Sequence, residues 1–183
     1  MNTANVKDRL NRFEGRIPHL YLCTGQEVTV GVGHAILTPN LGAQLPFLLL
    51  GGSPAPADQI VSDWEAVKAA PVGLRADEYR RYTTLTLPDE AIDALLDSDI
   101  AAFTGQIRAE FSAFEQYQEP AQEAIFDMAY NLGLSGLVKK FPSCTAAVRA
   151  QDWTRAALEC HRTGIQEERN TETVSLFNAS AVS

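Results

Sequence analysis

The stretch FEGRIPHLYLCTGQEVTVGVGH, residues 13–34, decides how the chain folds. It begins at the end of a predicted short helix over residues 4–14, whose apolar residues recur at helical spacing and which a glycine follows. The next residues predict a small sheet over 17–36, because Thr24-Gly25 is typical of a turn and the valines after it alternate with threonine and glycine. An acidic side chain, Glu14, therefore lies where a helix passes into a sheet.

The rest of the chain is predicted to be mostly helical. An irregular loop is predicted over residues 38–56, followed by a helix over 58–69. The composition of residues 79–87 (YRRYTTLTL) favours a strand. A long amphipathic helix of about 24 residues then begins near Asp89, because apolar residues recur there at a period of 3.6. Pro120 opens the next helix. Three shorter helices are predicted at 143–150, 152–161 and 166–177, after breaks at Gly133 and Gly136.

These elements predict an α+β fold in a single domain of 183 residues. The expected architecture is a small N-terminal α/β lobe with a short antiparallel sheet over residues 14–85, a long helix, and a C-terminal helical lobe. The helical lobe is expected to comprise residues 86–183 together with helix 4–14. A groove between two such lobes is a common place for a binding site.

Charge and hydropathy exclude several classes of protein. The chain carries 15 basic and 23 acidic residues, a formal net charge of −8, whereas nucleic-acid binding proteins normally present a basic face. No run of 18 apolar residues occurs, so no membrane span is expected. Residues 1–10 are polar and charged, which predicts that no signal peptide is present and that the protein is made in the cytoplasm. We also expect a monomer.

The cysteines predict neither a disulfide framework nor a metal site. There are three of them, Cys23, Cys144 and Cys160, and an odd and sparse set does not suit a disulfide scaffold. No C-x-x-C, H-E-x-x-H or acidic calcium-binding loop occurs in the sequence. We therefore expect no metal and no other cofactor.

Glu14 is the first candidate catalytic residue. A carboxylate in the last turn of a helix faces the negative end of the helix dipole, which is unfavourable by about 0.3–1 kcal/mol. This field, together with partial burial, would favour the protonated carboxyl. A protonated carboxyl is the general acid that cleavage of a glycosidic bond requires.

Further candidates follow Glu14 at fixed distances. Cys23 lies nine residues after it, and Thr29 lies fifteen after it, on the strand face opposite the valines, where a hydroxyl can point toward Glu14. Glu27 shares that face and could lend negative charge to a sugar, although an exposed strand glutamate is the more common case. His34 ends the strand, where a buried hydrogen-bonding histidine is the more common role.

These residues resemble the active-site signature of the phage-type lysozymes, glycoside hydrolase family 24, typified by the T-even phages. The signature consists of Glu14-Gly15, Tyr21, Thr29 and Gly31-Val32-Gly33-His34. The spacing of the acid, Cys23 and Thr29 matches that family without a gap. The likeness continues in order through 85–107 (LTLPDEAIDALLDSDIAAFTGQI), 124–136 (AIFDMAYNLGLSG), 141–159 (FPSCTAAVRAQDWTRAALE) and 168–177. Residues 37–80 do not match and are interpreted as an insertion around the small lobe.

The resemblance implies a bacteriolytic muramidase, an enzyme that hydrolyses the β-1,4 bond between N-acetylmuramic acid and N-acetylglucosamine in peptidoglycan. It implies Glu14 as general acid, with Cys23 and Thr29 positioning water. The expected binding partner is therefore peptidoglycan.

Further site residues are implied by the same resemblance. Tyr130 and Asn131 fall where the family contacts the sugar, and His34 is assigned to substrate binding with them. Arg169 falls where a basic side chain pairs with the catalytic acid, and an ordinary surface arginine is an equally good interpretation of it. Arg169 and Glu27 are therefore assigned supporting roles.

Cys23 departs from the family, which usually has an aspartate at this position. An ionised aspartate would stabilise positive charge on the sugar and orient water. A free thiol is mostly neutral at pH 7 and supplies little of that field. Three interpretations stay open: a working substitute that polarises water, which we favour, a thiolate nucleophile that forms a glycosyl-enzyme, and a weakened or inactive site.

Two other functions also stay open. Cys23 could serve a cysteine-dependent peptidoglycan amidase or peptidase with His34 or His19 as base, which requires the thiol and an imidazole within hydrogen-bond reach. The chain could instead be a non-catalytic wall-binding module built on a decayed lysozyme.

The place of action is expected to be the bacterial cell wall or periplasm, reached by delivery or release. One setting is the lysozyme domain of an antibacterial toxin or secretion-system effector, whose partners would be delivery machinery and an immunity protein. The other is a phage endolysin released through a holin pore. Both settings, and both an inverting and a retaining reaction, are compatible with the sequence.

Overall fold

The chain begins with helix α1 (Thr3–Glu14), as the spacing of its apolar residues predicts. In the computed structural model, which describes residues 1–182, the buried face of α1 is formed by Val6, Leu10 and Phe13. Gly15 follows with φ of 78°, a left-handed conformation that glycine adopts without strain, and this ends the helix.

The residues after α1 form a three-stranded antiparallel sheet, which confirms the predicted sheet. Its strands lie in the order β1 (Ile17–Leu22), β2 (Val28–Gly31) and β3 (His34–Ala35). Tyr21 pairs with Thr29 across β1 and β2. Every residue of β2 is buried, so both faces of this strand are covered.

Residues 37–80 contain three helical segments joined by irregular chain. They contain helix α2 (Pro39–Gly42), helix α3 (Ala57–Lys68) and a 3₁₀ helix (Ala76–Tyr82). Helix α3 confirms the helix predicted at 58–69. The strand predicted at 79–87 is wrong over its first half, which belongs to the 3₁₀ helix, whereas Thr86 forms an antiparallel bridge with Leu48.

The 3₁₀ helix forms because side chains fix its backbone locally. The Glu78 carboxylate accepts a hydrogen bond from the Arg75 N–H at 2.9 Å. The Tyr79 ring is fully buried, and its hydroxyl donates to the Pro71 carbonyl at 2.8 Å. These side-chain hydrogen bonds override the strand preference of the aromatic and β-branched residues.

The chain divides into two compact units. Glu14–Asp99 form the first, here called the sheet unit, and Met1–Phe13 with the residues from Ile100 onward form the second, here called the helical unit. The division lies inside the long helix α4 (Asp89–Glu110) and not near residue 85, where the sequence suggests it. Within the sheet unit, the first half of α4 packs closely, since a Cβ at Gly31 would lie 3.1 Å from Ile92 Cγ2.

The helical unit is built around helix α5 (Glu119–Leu132). Residues 121–129 of this helix are all buried, and the long α4 is observed as predicted. The helices that follow α5 are α6 (Leu134–Lys140), α7 (Pro142–Arg149), α8 (Trp153–Glu159) and α9 (Glu167–Ala181). A short 3₁₀ helix at Phe114–Gln116 precedes α5.

Gly136 does not break the helical pattern, contrary to prediction. Gly133, with φ of 69°, ends α5, and its carbonyl then accepts from the Leu137 N–H at 3.0 Å. A new helix, α6, therefore starts at once and includes Gly136. Within residues 1–182, no helix is both long enough and apolar enough to cross a membrane.

Candidate active site

Glu14, Tyr21 and Cys23 all belong to the sheet unit and interact electrostatically. Glu14 is the last residue of α1, Cys23 directly follows β1, and both are partly exposed. The pKa of Tyr21 is raised to about 12, chiefly by burial and further by the charges of Cys23 and then of Glu14. The Tyr21 phenol is therefore within electrostatic range of both Cys23 and Glu14.

The backbone carbonyl of Glu27 links Thr29 to Cys23. It accepts a hydrogen bond from the Thr29 hydroxyl at 2.9 Å and another from the Cys23 N–H at 3.0 Å. Thr29 is buried and lies opposite Tyr21 in the sheet. Because its one hydroxyl hydrogen is already used, Thr29 Oγ1 can only accept a hydrogen bond from a water molecule or ligand.

The thiol of Cys23 lies at the start of the turn between β1 and β2. The Cys23 carbonyl accepts from the Gln26 N–H at 2.9 Å, which closes the turn. The Cys23 Sγ lies 3.6 Å from the point where a Cβ on Gly25 would be, so the thiol rests against the backbone of the turn. The turn conformation therefore sets the thiol position.

Glu27 presents its carboxylate to Lys68. The two charged groups are 3.4 Å apart, and the Glu27 side chain is 44% exposed. Glu27 lies just before β2 and not within it. Because Lys68 offsets part of its charge, the role of Glu27 as a source of negative charge for a sugar stays a prediction with little support.

His34 is held by a carboxylate in the first half of α4. Its Nδ1 lies 2.9 Å and 3.1 Å from the two carboxylate oxygens of Asp99. Since carboxylate oxygens accept hydrogen bonds, Nδ1 is the donor, and Nε2 is the atom that His34 can offer to a ligand. Substrate binding by His34 stays a prediction.

Tyr130 and Asn131 lie near the C-terminal end of α5 in the helical unit, and both are partly exposed. The Tyr130 ring stacks on Phe126, with ring centroids 5.8 Å apart. The Asn131 Oδ1 accepts from Arg162 Nη1 at 3.4 Å, which leaves the Asn131 amide NH₂ as a donor for other groups.

Arg169 is buried, which excludes an ordinary surface arginine. Its side chain is 2% exposed, and its Nε donates to Asp127 Oδ1 at 2.9 Å. Its guanidinium carbon lies 5.4 Å from the centroid of the Phe13 ring, and Phe13 is the residue before Glu14. The pairing of Arg169 with Glu14 stays a prediction.

Asp127 and Arg162 form a buried charge cluster with Arg169, and sequence reasoning assigns a role to neither Asp127 nor Arg162. The Asp127 carboxylate also accepts from Arg162 Nη2 at 2.8 Å and from the Thr173 hydroxyl at 3.2 Å. All four residues are buried. One signal in the sequence was available: Asp127 interrupts the apolar run AIFDMAY, and a charge at such a position needs a buried partner.

A match to a family model shows which protein family the chain belongs to. The family model described as Phage lysozyme matches residues 11–173. The chain belongs to the phage lysozyme family. A comparison with curated proteins found no match. This lysozyme is therefore a peptidoglycan hydrolase of the glycosidase type that acts on the bacterial cell wall. The matched range includes all the candidate site residues from Glu14 to Arg169, and also residues 37–80.

In the described part of the lysozyme, the Cys23 thiol does not have the imidazole partner that a cysteine hydrolase requires. Within residues 1–182, neither His19 nor His34 is hydrogen-bonded to the Cys23 thiol. His19 Nε2 lies 2.9 Å from the Ala76 carbonyl, and His34 Nδ1 is engaged by Asp99. A cysteine nucleophile is normally activated by an adjacent imidazole, so this geometry does not favour the cysteine-hydrolase alternative.

The three thiols of the lysozyme should differ sharply in reactivity. Burial raises the pKa of Cys144 to about 12 and that of Cys160 to about 11, and both side chains are fully buried. Cys23 is partly exposed. We expect iodoacetamide to add one label to the native protein, at Cys23, and three labels after denaturation in guanidinium, as counted by intact mass.

Cys23→Ser provides the control for this labelling. It should take up no label in the native state and two labels after denaturation. Labelling of Cys144 or Cys160 in the native protein at a rate similar to that of Cys23 would contradict the assigned burial.

Proposed function

We propose that this lysozyme is a muramidase that hydrolyses the β-1,4 bond between N-acetylmuramic acid and N-acetylglucosamine, with Glu14 as its general acid. The observation that best supports the proposal is that the Tyr21 phenol responds to both Glu14 and Cys23, while Thr29 lies opposite it. The charges of an acid and a thiol therefore act on a tyrosine that pairs across the sheet with the residue carrying the hydroxyl acceptor.

In the proposed reaction, Glu14 gives its proton to the bridging oxygen as the bond from that oxygen to the anomeric carbon breaks. The oxygen of a water molecule forms the new bond to the anomeric carbon. The proton that this water releases balances the one that Glu14 gave up. General acid catalysis of this kind contributes about 10²–10⁴ in rate.

Thr29 and Cys23 have different tasks in this scheme. Thr29 accepts a hydrogen bond from the attacking water, since its own hydrogen is donated to the Glu27 carbonyl. Cys23 takes the place of an aspartate and polarises the same water. It acts as a hydrogen-bonding partner and not as the nucleophile, because no imidazole is hydrogen-bonded to it in the described part of the chain.

The remaining residues are assigned to the substrate and to the acid. Asn131 offers its amide NH₂ to an acceptor on the sugar, such as an N-acetyl carbonyl, and Tyr130 offers an aromatic face. His34 offers its Nε2 atom to the substrate, because its Nδ1 is hydrogen-bonded to Asp99. Arg169 is given a supporting role by the resemblance alone, and within the helical unit it is buried beside Phe13.

Two settings follow from this activity. The protein acts either as the lysozyme domain of an antibacterial effector or as an endolysin, in both cases on the wall of a bacterial cell. In the effector setting, an immunity protein of the producing cell would bind the enzyme.

A substitution series at Cys23 tests its role. We expect Cys23→Asp to retain or raise the release of reducing ends from purified peptidoglycan, because a carboxylate orients water and stabilises positive charge. Cys23→Ala should lower the rate by about tenfold, the equivalent of one lost hydrogen bond, and Cys23→Ser should fall between the two. Reducing ends and new free amines are measured in the same digests.

The release of reducing ends or of free amines distinguishes the muramidase from the two alternative functions. Loss of activity in Cys23→Asp, with free amines as the product of the wild type, would favour a cysteine-dependent amidase or peptidase. Binding to sacculi without release of either product would favour a non-catalytic wall-binding module.

A further inference from the structure

The turn that carries Cys23 contains a residue in an unfavourable conformation. Gln26 has φ of 62°, in the left-handed region that favours glycine. Because the Cys23 N–H donates to the Glu27 carbonyl, residues 24–26 form a three-residue hairpin loop with Gln26 in its last position. Loops of this kind normally have glycine there. A residue other than glycine keeps such a conformation only where its surroundings hold it there.

Lys68 makes contacts that hold this residue. Its Nζ donates to the Gln26 carbonyl at 2.8 Å and lies 3.4 Å from the Glu27 carboxylate. The bond is charge-assisted, which makes it stronger than a neutral hydrogen bond. Lys68 therefore fixes the carbonyl of the residue whose backbone is strained, and it does so between Cys23 and Thr29 in the sequence.

Lys68 is the last residue of α3, and α3 is itself firmly anchored. The buried Asp63 carboxylate accepts from the Thr84 N–H at 2.6 Å and from the Thr83 hydroxyl at 3.0 Å. The Trp64 indole N–H donates to the Ile36 carbonyl at 2.9 Å. A helix fixed in this way can hold the end of a long side chain in one place.

We propose that Lys68 is a positioning residue, which holds the Gln26 backbone and thereby sets the thiol of Cys23 and the Glu27 carbonyl that accepts from Thr29. This gives residues 37–80, which lack a counterpart in the motif resemblance, a task in the reaction. The inference rests on the proposed function, since it concerns the same water-positioning groups.

The test combines amide hydrogen exchange with turnover. In Lys68→Met, the exchange protection of the Cys23 and Gln26 amides should fall about threefold to tenfold, because both amides donate within the turn. The kcat for reducing-end release should fall by a similar factor with KM unchanged. Lys68 is 41% exposed, so the variant should fold normally.

Three further variants test whether the effect of Lys68→Met comes from the lost support of the Gln26 backbone. Lys68→Arg should restore most of the protection and turnover, since a guanidinium can donate to the same carbonyl. Gln26→Gly in the Lys68→Met background should also restore them, because glycine needs no support at this φ. Lys140→Met, which removes the same charge from the exposed end of α6, should match the wild type.

The outcomes are distinct. Wild-type protection and turnover in Lys68→Met would overturn the proposal, and so would a loss of one without the other. If the wild type releases no reducing ends at all, the proposed function fails by itself, and the exchange rates alone then decide whether Lys68 holds the turn.

Discussion

Replacing Glu14 with glutamine is expected to lower the release of reducing ends from peptidoglycan by about 10²–10⁴-fold. The glutamine side chain has nearly the same shape and the same position at the end of α1, but it has no acidic proton to give to the bridging oxygen. The rate is measured as new reducing ends in digests of purified sacculi, with thermal unfolding followed by circular dichroism to establish that the variant folds.

Glu65→Gln is the matched control for this substitution. Glu65 is an exposed glutamate in α3, in the same unit as Glu14, and its replacement should leave the rate within about twofold of the wild type, as expected for a surface substitution. Activity in Glu14→Gln above a tenth of the wild-type rate would contradict the assignment of Glu14 as general acid.

The second large effect is expected at Asp127, on stability. Asp127→Ala should lower the free energy of unfolding by about 3–5 kcal/mol, because it leaves the buried guanidinium groups of Arg162 and Arg169 without the carboxylate that both contact. Breaking a buried ion pair by removing one partner is costly, since the other charge stays out of water. Urea unfolding followed by circular dichroism gives the difference.

Glu119→Ala serves as the comparison for Asp127. Glu119 is an exposed acid in the first turn of the same helix, and its loss should cost less than about 1 kcal/mol. Equal losses in the two variants would contradict the account of the buried cluster.

Local patterns in the sequence predicted much of the fold. Helices α1, α4 and α5 follow from the helical spacing of apolar residues, and the sheet follows from the alternating valines and the Thr24-Gly25 turn. Asp152 caps α8 as expected, because its carboxylate accepts from the Arg155 N–H at 2.9 Å. These features depend on neighbours a few residues apart, which a single sequence displays directly.

The features that were not predicted depend on distant contacts. Residues 79–82 begin a stretch of strand-like composition, but burial of Tyr79 and its bond to Pro71 select a 3₁₀ helix. The contact of Lys68 with Gln26 spans 42 positions in the sequence. In the sequence, Asp127 is visible only as a charged residue within an apolar run. Its partners Arg162 and Arg169 come from later parts of the chain.

The sequence also suggested which residues could form the candidate site, although their roles stay predictions. The spacing of Glu14, Cys23 and Thr29 suggested which residues could act together, and that remains a prediction. In the structure, the Glu27 carbonyl accepts from the Cys23 backbone N–H and from the Thr29 hydroxyl. The direction of the Thr29 hydroxyl and the Lys68 contact at the turn could not be inferred, because both depend on where the Glu27 and Gln26 carbonyls point. Spacing identifies residues, but the hydrogen-bond pattern assigns their tasks.

The mass spectrum of the muropeptides that the wild-type enzyme releases from purified peptidoglycan tests the central claim most directly. We predict disaccharide peptides with N-acetylmuramic acid at the reducing end, each heavier by one water than its residue in the glycan strand. Fragments that end in N-acetylglucosamine or in anhydro-muramic acid, or intact glycan strands with cleaved peptides, would contradict it.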